Sequence, residues 1–273
     1  MVHNFAVASQ RKLTEHRRIA ASLSRRRSAP TPATPTETAL IDPQLLKSTI
    51  KVCMFDQYGT VVDIQTGLVE AATPFLKGKN WPGNPNSFVT WWRRTHFENS
   101  MIDALLGKEH TPYREIGERA IAFVMDRAGI SHTPDEIHAL VAAIERLKPF
   151  SEMPTALDRL RTRYKLAVLS NGDPDMLETA RHYHGIAFDR IISVAVANAF
   201  KPHHRTYEAA ADLMGVAREE VLFIANHAFD CIGAKATGMR TAFIDRRRRP
   251  FGATPHQPDL IVPTMTKLAD LIA

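Results

Sequence analysis

The chain has 273 residues, of which 44% are hydrophobic and 23% charged, and its formal net charge is +6. This balance is typical of a folded globular protein with one large or two smaller domains. Much of the positive charge lies in residues 1–46, which hold seven Arg or Lys residues against three acidic ones. Because a nucleic-acid-binding protein should carry its basic surface on the folded part, composition argues against that class. No apolar window reaches the roughly 18 residues that a membrane helix requires, so we expect neither nucleic acid nor membrane as a partner.

Residues 1–46 are predicted to form a disordered leader outside the fold. Three consecutive arginines at 25–27 precede a Pro/Thr/Ala tract over residues 29–36. Such a tract has no bulky apolar side chain whose burial would offset its ordering entropy. Residues 9–28 are rich in Arg and Ser and poor in acids, which is also typical of a mitochondrial or other organellar transit peptide. A disordered tail of a cytoplasmic protein, a targeting segment and a misassigned start codon all fit this composition.

Short apolar runs that begin after Lys51 predict buried strands. From the second run onward they alternate with helix-like segments, a pattern typical of a doubly wound, Rossmann-like parallel sheet with helices on both faces. The fold class is therefore predicted to be α/β. The runs are Val52–Phe55, Leu166–Leu169, Ile191–Val196, Val221–Ala225, Thr241–Ile244 and Leu260–Val262.

Residues 67–148 interrupt this alternation, because apolar residues there recur with the 3.6-residue period of helices. The first such series is Phe88, Trp91, Trp92, Thr95, Ile102, Leu105 and Leu106. We therefore expect an all-helical cap domain inserted into a catalytic core made of residues 47–66 and 149–273. Since ligands of such sheets bind beyond the carboxyl ends of the strands, the site should lie between the core and the cap.

Two cap-proline pairs and two glycines predict individual helix ends. Thr-Pro at 133–134 and Asp-Pro at 173–174 each place a capping residue before a first-turn proline, which is a signature of a helix start. Gly129 and Gly238 stand where a helix should stop.

Polar residues cluster at the predicted carboxyl ends of the strands. Singly, each is a common turn residue or helix cap, but together they bring two carboxylates, a hydroxyl and an ammonium to one crevice. An aspartate beside a lysine stays ionised at neutral pH, and a partly desolvated carboxylate is suited to act as a nucleophile, so Asp56 near Lys201 is the candidate nucleophile. The residues at these strand ends are Asp56, Tyr58, Thr60, Ser170, Asn171, Lys201, Tyr207, Asn226, His227, Phe229 and Asp230.

Four of these segments resemble the four motifs of the haloacid dehalogenase superfamily, in order and in spacing. They are FDQYGT at 55–60, LSNG at 169–172, KPHHRTYE at 201–208 and the segment around Asp230. Within the superfamily, the chain is most similar to the L-2-haloacid dehalogenases of type II. The Trp-Arg segment at 92–98 resembles their lid, and residues 149–154 resemble the hinge back into the core.

The resemblance implies a reaction and a role for each residue. Asp56 would displace halide from a short 2-haloalkanoic acid, and water would hydrolyse the resulting aspartyl ester to a 2-hydroxy acid of inverted configuration. No metal and no cofactor are implied, and relatives are often homodimers. The implied roles are Lys201 and Asp230 for activating water, Ser170, Thr60 and Asn171 for the cradle that holds the substrate carboxylate, Arg93 for the leaving halide, Tyr58 and Phe229 for the pocket walls, and Tyr207 for orienting Lys201 or Asp230.

Two positions depart from the pattern of this subgroup, which typically has Ser at Ala225 and Asn at His227. Ala225 removes a hydroxyl that would help to orient the carboxylate of the fourth motif. His227 is larger than Asn and can change charge near neutral pH. We weigh two interpretations of His227: a helix-start residue bonded to backbone, or a group that alters the pocket.

Two other functions remain open at this point. A magnesium-dependent phosphatase of the same superfamily would carry carboxylates at the positions of Tyr58 and Asn226, and Mg²⁺ prefers such oxygen ligands. A non-catalytic small-molecule binding protein on this fold would tolerate Ala225 and His227. The arginines at 246–249 are interpreted as a solvated loop or as a rim that steers anionic substrate.

Overall fold

The computed structural model describes residues 38–39, 41–107 and 109–273. Most of the predicted leader, with its arginines and its Pro/Thr/Ala tract, lies outside the described residues. None of the described helices is both long and apolar enough to cross a membrane.

Within the described residues, seven strands form one sheet in the order β1-β7-β6-β5-β2-β3-β4. All neighbouring pairs are parallel except β1 with β7. The predicted α/β class is confirmed, with β2 in the middle between β3 and β5. The strands are β1 Thr38–Ala39, β2 Val52–Phe55, β3 Lys165–Ser170, β4 Arg190–Ser193, β5 Val221–Ala225, β6 Arg240–Ile244 and β7 Leu260–Val262.

The central strands are buried on both faces, which explains why they appear in the sequence as continuous apolar runs. Every residue of β2 and of β5 is buried. At the edge of the sheet, the run predicted to reach Val196 ends as a strand at Ser193. The hydroxyl of Ser193 accepts the N–H of Ala195 and starts a 3₁₀ turn over Val194–Ala197. A side-chain cap therefore ends this strand while the sequence is still apolar.

The stretch between β2 and β3 is helical, and no strand occurs there among the described residues. Up to residue 146 its elements are α2 Ile64–Gly78, α3 Pro85–Leu106, α4 Tyr113–Arg127, α5 Pro134–Ala142 and a 3₁₀ turn at Ala143–Arg146. Thr133 forms the expected capping box with Glu136, and Gly129 has a left-handed φ of 67° after α4. Helix α2 begins at Ile64, so the proposed boundary between core and cap at residues 66 and 67 falls inside a helix.

The remaining helices alternate with the strands and cover the sheet. They are α6 Met153–Arg161, α7 Pro174–His184, α8 His204–Met214, α9 Ala228–Ala236 and α10 Met265–Ile272, with a 3₁₀ turn at Arg218–Glu220. Gly238 follows α9 with a φ of 95°.

The folded part begins earlier than the predicted boundary at residue 46. A helix, α1, spans Pro43–Thr49, and the carboxylate of Asp42 accepts the N–H of Gln44 at its start. Leu46 on this helix is 1% exposed and belongs to the main core. Lys47 donates to the carbonyl of Ala273 at 3.1 Å. A helix cap, a buried leucine and the hydrogen bond of Lys47 thus hold this short segment against the C-terminal residues.

Candidate active site

A cavity of about 660 Å³ lies beyond the carboxyl end of β2, between the sheet and the helices inserted after it. Asp56, Asn171 and Lys201 face it from the loops of the core. Trp92 and Arg93 face it from helix α3. The site was predicted between the sheet and the inserted helices, which we call the two layers. A cavity of the size of typical ligand sites lies there.

Asp56 directly follows β2, and each of its carboxylate oxygens has a close partner. Nζ of Lys201 donates to Oδ1 at 2.8 Å, and Oγ1 of Thr60 donates to Oδ2 at 2.7 Å. Nδ1 of His227 lies 3.5 Å from Oδ2. Burial raises the pKa of Asp56, but Lys201 and His227 outweigh it and hold the pKa well below its ordinary value. The carboxylate is therefore ionised, as a nucleophile must be.

Lys201 is a buried cation with three acceptors. Besides Asp56, its Nζ donates to Oδ2 of Asp230 at 2.7 Å and to the carbonyl of Leu169 at 3.0 Å. An ammonium has three N–H donors, so all of them are used. Burial lowers the pKa of Lys201, but Asp230 and Asp56 more than compensate and raise it. Lys201 therefore stays protonated and acts as a fixed counter-charge.

Asp230 lies behind Lys201, on the side away from the cavity. It is fully buried and is not among the residues that line the cavity. Its Oδ2 accepts from Lys201, and its Oδ1 accepts the hydroxyl of Tyr207 at 2.6 Å. Burial raises the pKa of Asp230, whereas Lys201 opposes that shift. The structure thus places Tyr207 where it orients Asp230, and it places Asp230 where it sets charge rather than where it meets water of the cavity.

The three residues expected to form a cradle occupy different places. Asn171 lines the cavity, and its Oδ1 accepts the backbone N–H of Lys201 at 3.0 Å. Thr60 is buried beneath Asp56, where its hydroxyl donates to that carboxylate and accepts the N–H of Asn226. Ser170 is also buried and outside the lining, with its Oγ accepting the N–H of Gly172 at 3.2 Å. Asn171 alone of the three faces the cavity.

Arg93 reaches the cavity from helix α3 and is held by a residue that sequence reasoning missed. Its Nη1 donates to Oε1 of Gln65 at 2.7 Å. The amide of Gln65 in turn donates to Oδ1 of Asn86 at 2.8 Å and to Oγ1 of Thr90 at 3.1 Å. Burial and nearby Arg247 lower the pKa of Arg93 to about 10, so it is still a cation at neutral pH. A positive group therefore lies on the same cavity as the Asp56 carboxylate.

Aromatic side chains form the walls of the cavity. Tyr58 stacks on Tyr113 with a centroid distance of 5.8 Å and an interplanar angle of 7°. Phe229 packs against Phe97 at 4.2 Å. Tyr58 lies in the loop after β2 and Phe229 lies at the start of helix α9, whereas Tyr113 and Phe97 belong to helices inserted after β2. The two predicted wall residues therefore also hold the two layers together.

Asp173 makes a further link between the layers, and it differs from the prediction. It precedes α7 as expected, but its side chain makes no bond to that helix. Its two oxygens instead accept the backbone N–H groups of Tyr113 and Arg114, at 2.8 and 2.9 Å. These N–H groups begin helix α4 and have no partner within it. Asp173 therefore caps a helix that is 60 residues away in sequence.

Comparison with known proteins assigns the chain to a family. The pattern of the hydrolase family described as haloacid dehalogenase-like hydrolase matches residues 50–238. The chain belongs to that family. Haloacetate dehalogenase H-2 of Moraxella sp. (strain B) is 32% identical over 227 residues, covering 82% of this chain and 98% of the relative. The (S)-2-haloacid dehalogenase of Pseudomonas sp. (strain YL) is 30% identical, covering 81% and 94%.

Solved structures of the same kind share the fold of this haloacid dehalogenase-like hydrolase. The L-2-haloacid dehalogenase of Xanthobacter autotrophicus superposes with a TM-score of 0.74 at 29% sequence identity, covering 82% of this chain and 98% of that one. A second structure of that protein, with chloropropionic acid covalently bound, superposes with a TM-score of 0.72 at 28% identity. The resemblance noted in the motifs is therefore confirmed at the level of family and fold.

The two departures in this hydrolase lie close to Asp56. Ala225 ends β5 and is fully buried. His227 precedes α9 but makes no side-chain bond to that helix, so the interpretation as a helix-start residue bonded to backbone is wrong. Its ring faces Asp56 instead. Gly59 makes room for it, because a Cβ at that position would lie 2.8 Å from Cε1 of His227.

The arginine segment at 246–249 of the hydrolase has two parts. Arg246 is no solvated residue: its guanidinium donates to Glu152 and to the carbonyl of Thr60, and it stacks over Phe150 at 4.0 Å. Arg247 and Arg249 are exposed and lie at the cavity lining. All three of these arginines line the cavity, and Arg246 in addition links Phe150 and Glu152 to the carbonyl of Thr60.

The described residues of this hydrolase contain no group of three or more His, Cys, Asp or Glu side chains placed to hold a metal ion. At the two positions where the phosphatase pattern requires carboxylates, Tyr58 stacks in the wall and the amide of Asn226 donates to the carbonyl of Ile244. Neither side chain supplies the anionic oxygen that Mg²⁺ prefers.

Proposed function

We propose that this hydrolase cleaves the carbon–halogen bond of short L-2-haloalkanoic acids and releases halide and a 2-hydroxy acid of inverted configuration. Relatives that share about 30% of its sequence over more than nine-tenths of their own length are named haloacetate or (S)-2-haloacid dehalogenases. The site adds an ionised, buried carboxylate and a guanidinium on one cavity. These are the two charges that displacement of a halide from an anionic substrate calls for.

The first step is a displacement at the halogen-bearing carbon by Asp56. One carboxylate oxygen forms a bond to that carbon as the carbon–halogen bond breaks on the opposite side, so the configuration inverts. The electron pair leaves with the halide, which meets Arg93. Lys201 stays on the carboxylate throughout and keeps it ionised before the attack. The product is an ester between Asp56 and the substrate.

The second step is hydrolysis of that ester. Water attacks the carbonyl carbon of Asp56, and the bond between this carbon and the ester oxygen breaks. The 2-hydroxy acid therefore carries an oxygen that came from Asp56, and Asp56 keeps the oxygen from water. A cavity walled by aromatic rings limits competing water around the reacting carbon.

The observation that carries this proposal is the buried Asp56 carboxylate, bonded to Lys201 at 2.8 Å, at the cavity that Arg93 shares. Halide release on mixing with chloroacetate or L-2-chloropropionate is the expected result, with D-2-chloropropionate as the control substrate. A single turnover in heavy-oxygen water should label Asp56 and leave the product unlabelled. Label that appears directly in the 2-hydroxy acid would mean that water attacks the substrate, and the ester mechanism would be wrong. Asp56→Asn should release no halide.

The same assay separates the alternatives. We expect halide release to survive exhaustive chelation, and we expect little hydrolysis of aryl phosphates with or without added magnesium. Activity lost to a chelator and restored by magnesium would favour a phosphatase-like metal site. Binding of 2-haloacids with no release of halide would favour a non-catalytic binding protein.

We also propose that the hydrolase forms a homodimer through the end of helix α3. Ile102, Leu105 and Leu106 are 52%, 83% and 64% exposed there, and clustered exposed apolar side chains mark interaction surfaces. The expected result is a dimeric mass in analytical ultracentrifugation, and Leu105→Lys should shift it toward the monomer. A wild-type mass equal to one chain of 30.5 kDa would contradict the dimer.

A further inference from the structure

His227 is a cavity-lining group that the displacement step leaves without a role. It stands directly before helix α9, where a side chain commonly bonds the first backbone N–H groups, yet it makes no such bond. Its Nδ1 lies 3.5 Å from Oδ2 of Asp56 instead. About a quarter of the side chain, 25%, is exposed. The imidazole therefore connects the nucleophile with the solvent of the cavity.

We propose that His227 is the general base that activates the water which hydrolyses the Asp56 ester, and that it then returns the proton to the departing 2-hydroxy acid. The inference rests on the proposed function, since it concerns the second half of the same reaction. Histidine suits this role because its ordinary pKa lies near neutrality, where an imidazole can both take up and release a proton.

The other ionisable groups around Asp56 are already committed. Lys201 is protonated and uses all three N–H donors, so it has no lone pair to offer. Asp230 is fully buried outside the cavity lining, and both of its oxygens are occupied, by Lys201 and by Tyr207. A base must lie within hydrogen-bond reach of the water whose proton it takes. Asp230 does not meet that requirement for water in the cavity, and Lys201, although it lines the cavity, has no lone pair to take the proton.

Two other residues of the cavity lining, a histidine and an aspartate, carry groups that could serve as a base, but both are engaged elsewhere. His96 is buried, and its Nε2 donates to the carbonyl of Tyr113 at 3.0 Å. Burial lowers the pKa of His96 to about 4, which makes it a weak base. Asp63 accepts from both the N–H and the hydroxyl of Thr66 at the start of helix α2. His227 is the group that combines contact with Asp56 and access to solvent.

The chemical step balances with His227 as the base. In the ester the negative charge of Asp56 is gone, so the ring faces a neutral acyl group and can accept a proton rather than donate one. The water oxygen bonds to Cγ of Asp56 while its proton moves to the imidazole. The bond between Cγ and the ester oxygen then breaks, and the alkoxide of the product takes that proton. The second proton of the water stays on the new carboxyl group and leaves to solvent, which restores the carboxylate.

The backbone at Gly59 leaves space for the imidazole ring of His227. Gly59 has a φ of +93°, and a Cβ there would come within 2.8 Å of Cε1 of His227 and 3.8 Å of Nη2 of Arg93. A residue with a side chain would therefore push the imidazole away from Asp56. This close approach between the first and fourth motifs keeps the ring directly beside the carboxylate.

The experiment is a pre-steady-state comparison of wild type and His227→Gln with L-2-chloropropionate. In the variant we expect a burst of one halide per active site at close to the wild-type rate, followed by turnover slowed by roughly 10²-fold or more. Acid-quenched protein should then carry the mass of the substrate ester on Asp56. The matched control is His203→Gln, because His203 also precedes a helix but bonds that helix through the N–H of Arg205. It should retain wild-type kinetics.

Three outcomes overturn the assignment. His227→Gln could turn over at the wild-type rate, or it could slow the halide burst without accumulating ester, which would place His227 in the displacement step. His227→Ala covers the case in which Gln distorts the site: its ester should also accumulate, and added imidazole should speed its hydrolysis. If the ester accumulates in neither variant, the base role is wrong. Failure of the proposed function has a different signature, because wild type itself would then release no halide and form no ester.

Discussion

The two sides of Asp56 differ in burial and in how completely their polar atoms are paired. On the core side, Lys201 and Asp230 are buried, and every charged atom of the pair has a partner at 2.6 to 3.0 Å. On the cavity side, His227 is partly exposed and 3.5 Å away, and Arg93 has one strong hydrogen bond, to Gln65. The comparison separates two tasks: the core side sets the charge of Asp56, and the cavity side meets the substrate, the halide and the water.

The physical reason for the separation is the cost of desolvation. A buried ion pair gains Coulomb energy only if its remaining donors and acceptors are also satisfied, so the core side must be rigid and complete. Groups that exchange protons or release an anion must instead reach water. A single set of residues cannot satisfy both requirements. The fold therefore places one set on the core side of Asp56 and the other on its cavity side.

The largest effect is expected from removing the cation of the core side. Lys201→Met leaves Asp56 and Asp230 as two buried carboxylates without a counter-charge. We expect activity to be lost and the free energy of unfolding to fall by about 3–5 kcal/mol, as for other buried pairs broken on one side. Urea denaturation measures the change. Lys79→Met is the control, because its ion pair with Glu136 is partly exposed and should contribute only about 0–1 kcal/mol.

The pH dependence of the free energy of unfolding tests why Lys201→Met loses stability. In wild type the pKa of Asp56 is lowered, so its contribution is fully present above the unfolded-state value of about 3.9 and is lost only as the pH falls through the native value. In Lys201→Met the buried carboxylates bind protons more tightly in the native state than in the unfolded state. The deficit of the variant should therefore shrink between pH 8 and pH 4.5. A deficit that stays constant with pH would point to lost packing rather than to unpaired charge.

On the cavity side, the strongest single effect should come from the guanidinium. Arg93→Lys keeps the charge but loses the planar group that bonds Gln65 and faces the cavity. We expect kcat/KM to fall by roughly 10²-fold or more, as when a charge-stabilising donor is removed. Arg119→Lys is the control, because Arg119 is 64% exposed, pairs with Glu115 and does not line the cavity. Near-normal kinetics in Arg93→Lys would remove Arg93 from halide binding.

The link between the two layers should have a smaller effect, on stability more than on chemistry. Asp173→Ala leaves the first N–H groups of helix α4 without their acceptor. We expect a loss of about 1–3 kcal/mol in the free energy of unfolding and a raised KM, because Tyr113 at this helix start stacks on Tyr58. Asp175→Ala, which removes an exposed partner of Arg114, is the control. Equal losses in both variants would show that the charge near Arg114 matters, and not the cap.

Much of the core side could be predicted from the sequence. Val52–Phe55 and Val221–Ala225 match the predicted strands residue for residue, because strands buried on both faces are continuous apolar runs. Asp56, Lys201, Tyr207 and Asp230 follow from the same logic. The carboxyl ends of parallel strands meet at one edge of the sheet, so residues far apart in sequence can be brought together by topology alone.

The cavity side was harder to predict because its contacts are made by side chains on separate elements. Gln65 bonds Arg93 across 28 residues, and Asp173 caps a helix 60 residues away. No local pattern distinguishes these from ordinary helix-start residues. The sequence left the direction of His227 open for the same reason. For helix α1, Asp42 before Pro43 is a sequence signal of a helix start. The helix has only seven residues and one buried leucine, so its apolar residues show no 3.6-residue period.

The smallest expected effect concerns Gln65, which orients Arg93 without facing the reaction itself. Gln65→Leu removes the acceptor for Nη1 of Arg93 and the donor to Asn86 and Thr90. A hydrogen bond of about 1 kcal/mol corresponds to about a fivefold change, so kcat/KM should fall by about that factor. Asn86→Ala removes only the outer contact and should cost less. We expect the effect to decrease in the order Arg93→Lys, Gln65→Leu, Asn86→Ala. This order would show that Asn86 positions Gln65 and that Gln65 in turn positions the guanidinium of Arg93. An effect of Asn86→Ala as large as that of Gln65→Leu would instead mean that the packing between helices α2 and α3 controls Arg93, and that the cavity side is as interdependent as the buried side.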